Sequence, residues 1–95
     1  MASGTELREL AQGFGLLSDA TRLAMLKSVV EGPKNVTALC KAVGRGQPTV
    51  SYHVALLRMG RLVTGIHKGK SMVYVGNKAN LKALAAGIEK LTPKK

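Results

Sequence analysis

Ninety-five residues, 45% of them hydrophobic, make one folded domain with room for only a modest core, and a single Cys40 excludes an internal disulfide. Aromatic residues reach only 3%, with no tryptophan, so that core is aliphatic. No apolar run approaches the ~20 residues that span a bilayer, which excludes a transmembrane helix, and a formal charge of +10 points to a polyanionic partner.

In chain order, the spacing first predicts a helix over 5–17, with Leu7, Leu10, Phe14 and Leu17 on one stripe and Gly13 and Gly15 weakening its end. Ser18 or Asp19 can cap a second helix, whose Leu23, Leu26 and Val30 are expected to face inward. "EGPKN" ends it, because Gly32 suits the position past a helix C-terminus and Pro33 cannot continue the helix. Asn35 can cap a short third helix over 36–43. "GRGQP" then makes a tight connection into a fourth helix, with Gly46 as cap, Pro48 tolerated in the first turn and Gly60 as the stop. Two β-prone runs, 62–66 and 71–75, flank "HKGK" and read as a hairpin with a basic tip. A last helix over 79–91 carries Leu81, Leu84, Ala85, Ile88 and Leu91 on one face.

The fourth helix is unusual in what it leaves outside. At about 100° per residue, Val50, Val54 and Leu57 cluster on one side, while Pro48, Ser51, Tyr52 and Ala55 point away. Short hydrogen-bonding side chains near a helix N-terminus are what entry into a DNA major groove requires, and Ala55 permits close approach to the groove wall. Two helices joined by a short glycine-containing turn, then a basic hairpin, make a winged helix-turn-helix. The fold class is therefore mainly α with a small β-hairpin. The whole of 1–95 is one such domain, with the helix-turn-helix over 36–60 and the wing over 61–76.

Charge placement agrees with that reading. All five acids, Glu6, Glu9, Asp19, Glu31 and Glu89, lie near the chain ends. Residues 32–88 contain none, yet they carry Lys34, Lys41, Arg45, Arg58, Arg61, Lys68, Lys70, Lys78 and Lys82. Solubility alone would be served by interspersed charges of both signs, and the bases do not form one amphipathic helix for a membrane surface. Double-stranded DNA is the expected partner. Lys41, Arg45, Arg58, Lys68 and Lys70 are candidates for phosphate contact, and Gln47, Thr49, Ser51 and Tyr52 for base contact. His53 either contacts a phosphate or hydrogen-bonds within the domain. Arg58 and Arg61 either touch the DNA backbone or pair with acids such as Glu31. Cys40 reads as a small buried hydrophobe.

"LSDATRLAMLKSVVEG", "GQPTVSYHVALLRMGRLV" and "GKSMVYV" together resemble the ArsR/SmtB family of dimeric winged-helix repressors, over about residues 16–76. The second block is the specific one, keeping the Gln-Pro-Thr-Val-Ser run, His53 and the Leu57–Arg58 pair. The resemblance implies DNA binding through the fourth helix and the wing, repression by promoter occlusion, and a homodimer. The dimer would be built from the first and last helices, where this chain supplies Leu7, Leu10, Phe14, Leu84, Ile88 and Leu91. Two reading helices related by a two-fold axis would meet half-sites about 34–36 Å apart or a multiple of that. The chain departs from the family at its metal sites. The third-helix "C-V-C" is replaced by Asn35 and Thr37, and the last helix lacks the Asp and His ligands of the second family site. Cys40, His53 and His67 are the only soft or imidazole ligands, so neither a metal nor any other cofactor is expected.

Catalysis is not expected either. "GKS" at 69–71 lacks the upstream glycine of a phosphate-binding P-loop and sits in a hairpin. Ser51 and His53 lie about 200° apart around one helix and cannot pair as nucleophile and base. Without an N-terminal signal pattern or membrane span, the expected location is cytoplasmic, on the nucleoid. Two rival readings remain at this level: a nonspecific DNA-coating or architectural protein, and a protein-interaction module built on the same fold.

Overall fold

The computed structural model describes residues 4–91. Within them the chain runs α1 (Gly4–Leu16), α2 (Ala20–Glu31), α3 (Val36–Val43), α4 (Gln47–Met59), β1 (Val63–Lys68), β2 (Ser71–Gly76) and α5 (Lys78–Leu91). This is the expected winged helix-turn-helix, with α3 and α4 as the helix pair and β1–β2 as the wing.

Short polar side chains start the helices. Of the two candidates before α2 it is Asp19 that caps, its carboxylate accepting from the Arg22 N–H at 3.0 Å. Asn35 does the same for α3 through the Ala38 N–H at 2.8 Å, and Asn77 for α5 through the Asn80 N–H at 3.2 Å. Gly46 precedes α4 without a side-chain cap, and Pro48 removes one of the N–H groups a cap would otherwise satisfy. Gly44 ends α3 in the left-handed region, φ 68, with its N–H on the Cys40 carbonyl at 2.9 Å.

Two helix stops differ from expectation. Gly32 is extended, φ 172, because the chain leaves α2 directly into a β-bridge. The Lys34 N–H donates to the Tyr74 carbonyl at 3.0 Å, and the Tyr74 N–H to the Lys34 carbonyl at 2.8 Å. The end of α2 is closed instead by Lys34, whose Nζ donates to the carbonyls of Ser28 and Gly32 at 3.1 and 3.2 Å. At the other stop, Gly60 stays helical, φ −79, and the left-handed turn falls on Arg61, φ 61. Asn80 of α5 holds the Arg61 carbonyl at 2.8 Å.

The core is aliphatic apart from one phenol. Met25, Leu26 and Val29 of α2, Leu39 of α3, Val50, Val54 and Leu57 of α4, and Leu62, Val63 and Tyr74 form it. Leu23 and Val30 do not face inward as expected; they are 50% and 39% exposed. They sit about 100° or more around α2 from Val29, and the arc turned to α3 and α4 is centred on Met25 and Val29.

Helices α1 and α5 cross through reciprocal sockets. Gly87 is the buried residue of α5, and a Cβ there would meet the Leu10 side chain. Conversely, a Cβ on Gly13 would stand 2.5 Å from Leu84. Each glycine thus receives the leucine of the other helix. The wing is a two-stranded antiparallel ribbon in register from Val63↔Gly76 to Lys68↔Ser71, turned by Gly69, φ 61, and Lys70. No helix among the described residues is long and apolar enough to cross a membrane.

Candidate nucleic-acid interface

The packing of α4 decides which of its side chains are free. Val50, Val54 and Leu57 anchor it in the core, which leaves Gln47, Pro48, Ser51, Tyr52 and Ala55 exposed on one face. Tyr52 is 61% exposed, its ring edge-on to that of His53 at 5.3 Å between centres. Thr49 is half-buried, at the margin of that face. Lys41 in the last turn of α3 and Arg45 in the connecting turn are exposed beside the start of α4. At the far side, Lys68 and Lys70 are exposed around the wing tip.

Arg58 links helix and wing. Its guanidinium carbon lies 5.9 Å from the centre of the Tyr74 ring, within cation–π range. Gly65, the cross-strand partner of Tyr74, makes room: a Cβ there would stand 3.4 Å from Arg58 Cζ and 3.0 Å from Met72 Sδ. Of the two sequence readings for Arg58, pairing with Glu31 is not realised, since Glu31 pairs with Lys27 at 3.7 Å. Arg61 instead makes the turn out of α4. The two ion pairs among the described residues, Lys27–Glu31 and Lys90–Glu6, use no base from the acid-free interior of the chain. Lys34, another base of that interior stretch, is half-buried and spends its ammonium on closing α2.

His53 is half-buried and turned toward α2, its Nδ1 3.2 Å from an Arg22 nitrogen. An internal hydrogen bond, one of the two readings left open by sequence, is therefore present. The Arg22 N–H holds the Asp19 carboxyl below its ordinary value of 3.8. Arg22, Gly65 and Tyr74 are the residues that sequence reasoning passed over. The "DATR" start of α2 carried a visible signal only for the cap.

The apolar candidates of the terminal helices divide by exposure. Leu7, Ile88 and Leu91 are 45%, 52% and 49% exposed, while Leu10, Phe14 and Leu84 are half-buried, Leu10 and Leu84 where the helices cross. At the positions of the family's third-helix metal site, Asn35 caps α3 and Thr37 is exposed. The described residues hold no group of three or more His, Cys, Asp or Glu side chains that could share a metal ion. Cys40 is half-buried against the core.

A helix pair with this wing is widespread among regulators, and the comparison with known families decides which. The family model described as "Bacterial regulatory protein, arsR family" matches residues 19–64, from the Asp19 cap through α4 into the wing, and the HTH-type transcriptional regulator Rv2034 of Mycobacterium tuberculosis is 31% identical over 74 residues, covering 78% of this chain and 69% of that one. The chain belongs to that family. Among curated relatives, this arsR-family chain is 41% identical over 61 residues to the HTH-type transcriptional regulator KmtR of Mycobacterium tuberculosis, covering 64% of this chain and 47% of that one. It is 39% identical over 64 residues to the arsenical resistance operon repressor of Escherichia coli, covering 66% and 55%. The chain thus spans about half the length of these relatives. Among solved structures, an ArsR-like transcriptional regulator from Rhodococcus sp. RHA1 superposes with a TM-score of 0.85 at 26% identity, covering 94% of this chain and 83% of that one. The homodimeric winged helix-turn-helix DNA-binding domain of a Mycobacterium bovis protein superposes with a TM-score of 0.75 at 25% identity, covering 90% and 79%.

Proposed function

We propose that this chain is a sequence-specific, DNA-binding transcriptional repressor that acts as a homodimer and occludes a promoter, without using the family's metal sites. The observation that carries the reading is the outer face of α4. It presents Gln47, Ser51, Tyr52 and Ala55 to solvent between Lys41 and Arg45 on one side and Arg58, Lys68 and Lys70 on the other. In this reading Gln47, Thr49, Ser51 and Tyr52 meet base edges, and the five bases hold phosphates. The exposed apolar side chains of Leu7, Ile88 and Leu91, together with half-buried Leu10, Phe14 and Leu84, supply the dimer contact. The homodimeric Mycobacterium bovis domain supports the dimer, and the repressor of Escherichia coli supports repression. Such a protein works where the chromosome is, in the cytoplasm.

Fluorescence anisotropy against its own upstream DNA and a scrambled duplex tests the reading. The repressor should prefer its own DNA by roughly 10³-fold or more, and Gln47→Ala or Ser51→Ala should cut that preference by about 1–3 kcal/mol. Equal affinity for both duplexes would mark a nonspecific coat, and negligible affinity for either a protein-interaction module.

A further inference from the structure

Arg22 lies away from the exposed face of α4, yet its side chain joins three elements. Its Nε donates to the Leu16 carbonyl at 2.6 Å and a terminal nitrogen to the Gly15 carbonyl at 3.3 Å, both at the C-terminal end of α1. Its other terminal nitrogen meets Nδ1 of His53 on α4 at 3.2 Å. Asp19 accepts from the Arg22 backbone N–H, which fixes the turn of α2 from which the side chain departs. A guanidinium has five donors and no acceptor, so Nδ1 must be the acceptor. The tie therefore requires a neutral imidazole with its proton on Nε2.

We propose that Arg22 is a positioning residue for DNA reading, fixing the recognition helix α4 against the end of α1 through His53. The inference rests on the DNA-binding reading above. Helix α1 carries part of the proposed dimer contact, so the tie holds each reading helix relative to the two-fold axis. Base-edge hydrogen bonds in two half-sites at once tolerate misplacement of only about 0.5 Å, which a rigid link between those helices supplies. Tyr52 of α4 stands edge-on to the same imidazole, ring centres 5.3 Å apart.

The test measures the ratio of affinities for the protein's own upstream duplex and a scrambled one, with circular dichroism confirming the fold of each variant. At about pH 8, Arg22→Met and His53→Leu should each lower the ratio about tenfold, and the double variant no further than the larger single loss. His53→Gln keeps an acceptor for Arg22 and should stay within about threefold of wild type. Additive losses or failure of Gln to rescue would overturn the inference. If Arg22→Met does not fold, the two His53 variants still decide. A wild-type ratio near one at about pH 8 overturns the DNA reading itself and the inference with it; a high wild-type ratio with additive losses overturns the inference alone.

Discussion

At the scale of single residues, the backbone extremes mark where the helix pair turns. Gly44 and Arg61 take nearly the same left-handed conformation, φ 68 and 61, at the ends of α3 and α4. Gly44→Ala should cost about 1–2 kcal/mol in urea unfolding, the penalty of a Cβ in that region. Arg61→Gly should gain less, about 0.5 kcal/mol, because glycine also raises the entropy of the unfolded chain. Asp19 sets a pH dependence of known sign. Its carboxyl titrates below the ordinary 3.8 in the folded chain because the Arg22 N–H holds the charged form. Its stabilisation is therefore complete above the unfolded value and is lost as pH falls through the lower folded one. Thermal melts should show Asp19→Ala less stable than wild type by a constant margin from about pH 7 to about pH 5, narrowing below about pH 4.

Among the elements, α1 and α5 show how far two helices can depend on two glycines. Leu10 enters the space at Gly87, and Leu84 the space at Gly13. Gly87→Val should displace Leu10 and destabilise the fold by about 1–3 kcal/mol, as overpacking does elsewhere. Ile88→Asp should leave the melting of a protomer nearly unchanged, because Ile88 is 52% exposed, and yet dissociate the dimer in sedimentation. A dimer that survives Ile88→Asp would remove this face from the interface. The order of elements was legible because its signals are local: Asp19 and Asn35 cap, Pro48 opens α4, and Gly69 turns the wing. The inward arc of α2 was not. Leu23, Met25, Leu26, Val29 and Val30 offer apolar side chains over most of that helix, and only Leu39, Val50 and Leu57 across the core choose among them. The same limit hid the roles of Gly32 and Lys34, whose conformations follow from a bridge to Tyr74 far along the chain. The Arg22–His53 contact, 31 residues apart, leaves no periodic trace either.

For the whole molecule, the deciding quantity is where charge is left uncompensated. The exposed face of α4 and its basic flanks could be read from sequence because acids are simply missing between residues 32 and 88. The described ion pairs join bases and acids of the chain's outer thirds. The positive field therefore concentrates around the helix-turn-helix and wing, away from the α1–α5 crossing, where Lys90 meets Glu6 at 4.0 Å. That separation has a measurable consequence. If Lys41, Arg45, Arg58, Lys68 and Lys70 of each protomer touch phosphates, a dimer makes about ten such contacts, and log affinity should fall with log salt with a slope of roughly −9. A single protomer on DNA would show about half of that. Lys70→Ala should flatten the slope by about two, one contact being lost on each side of the two-fold axis, with the preference for its own DNA little changed. Lys90→Ala should leave the slope unchanged. A slope near −9 that Lys90→Ala reduces as much as Lys70→Ala would place the helix crossing, rather than the wing, against the DNA.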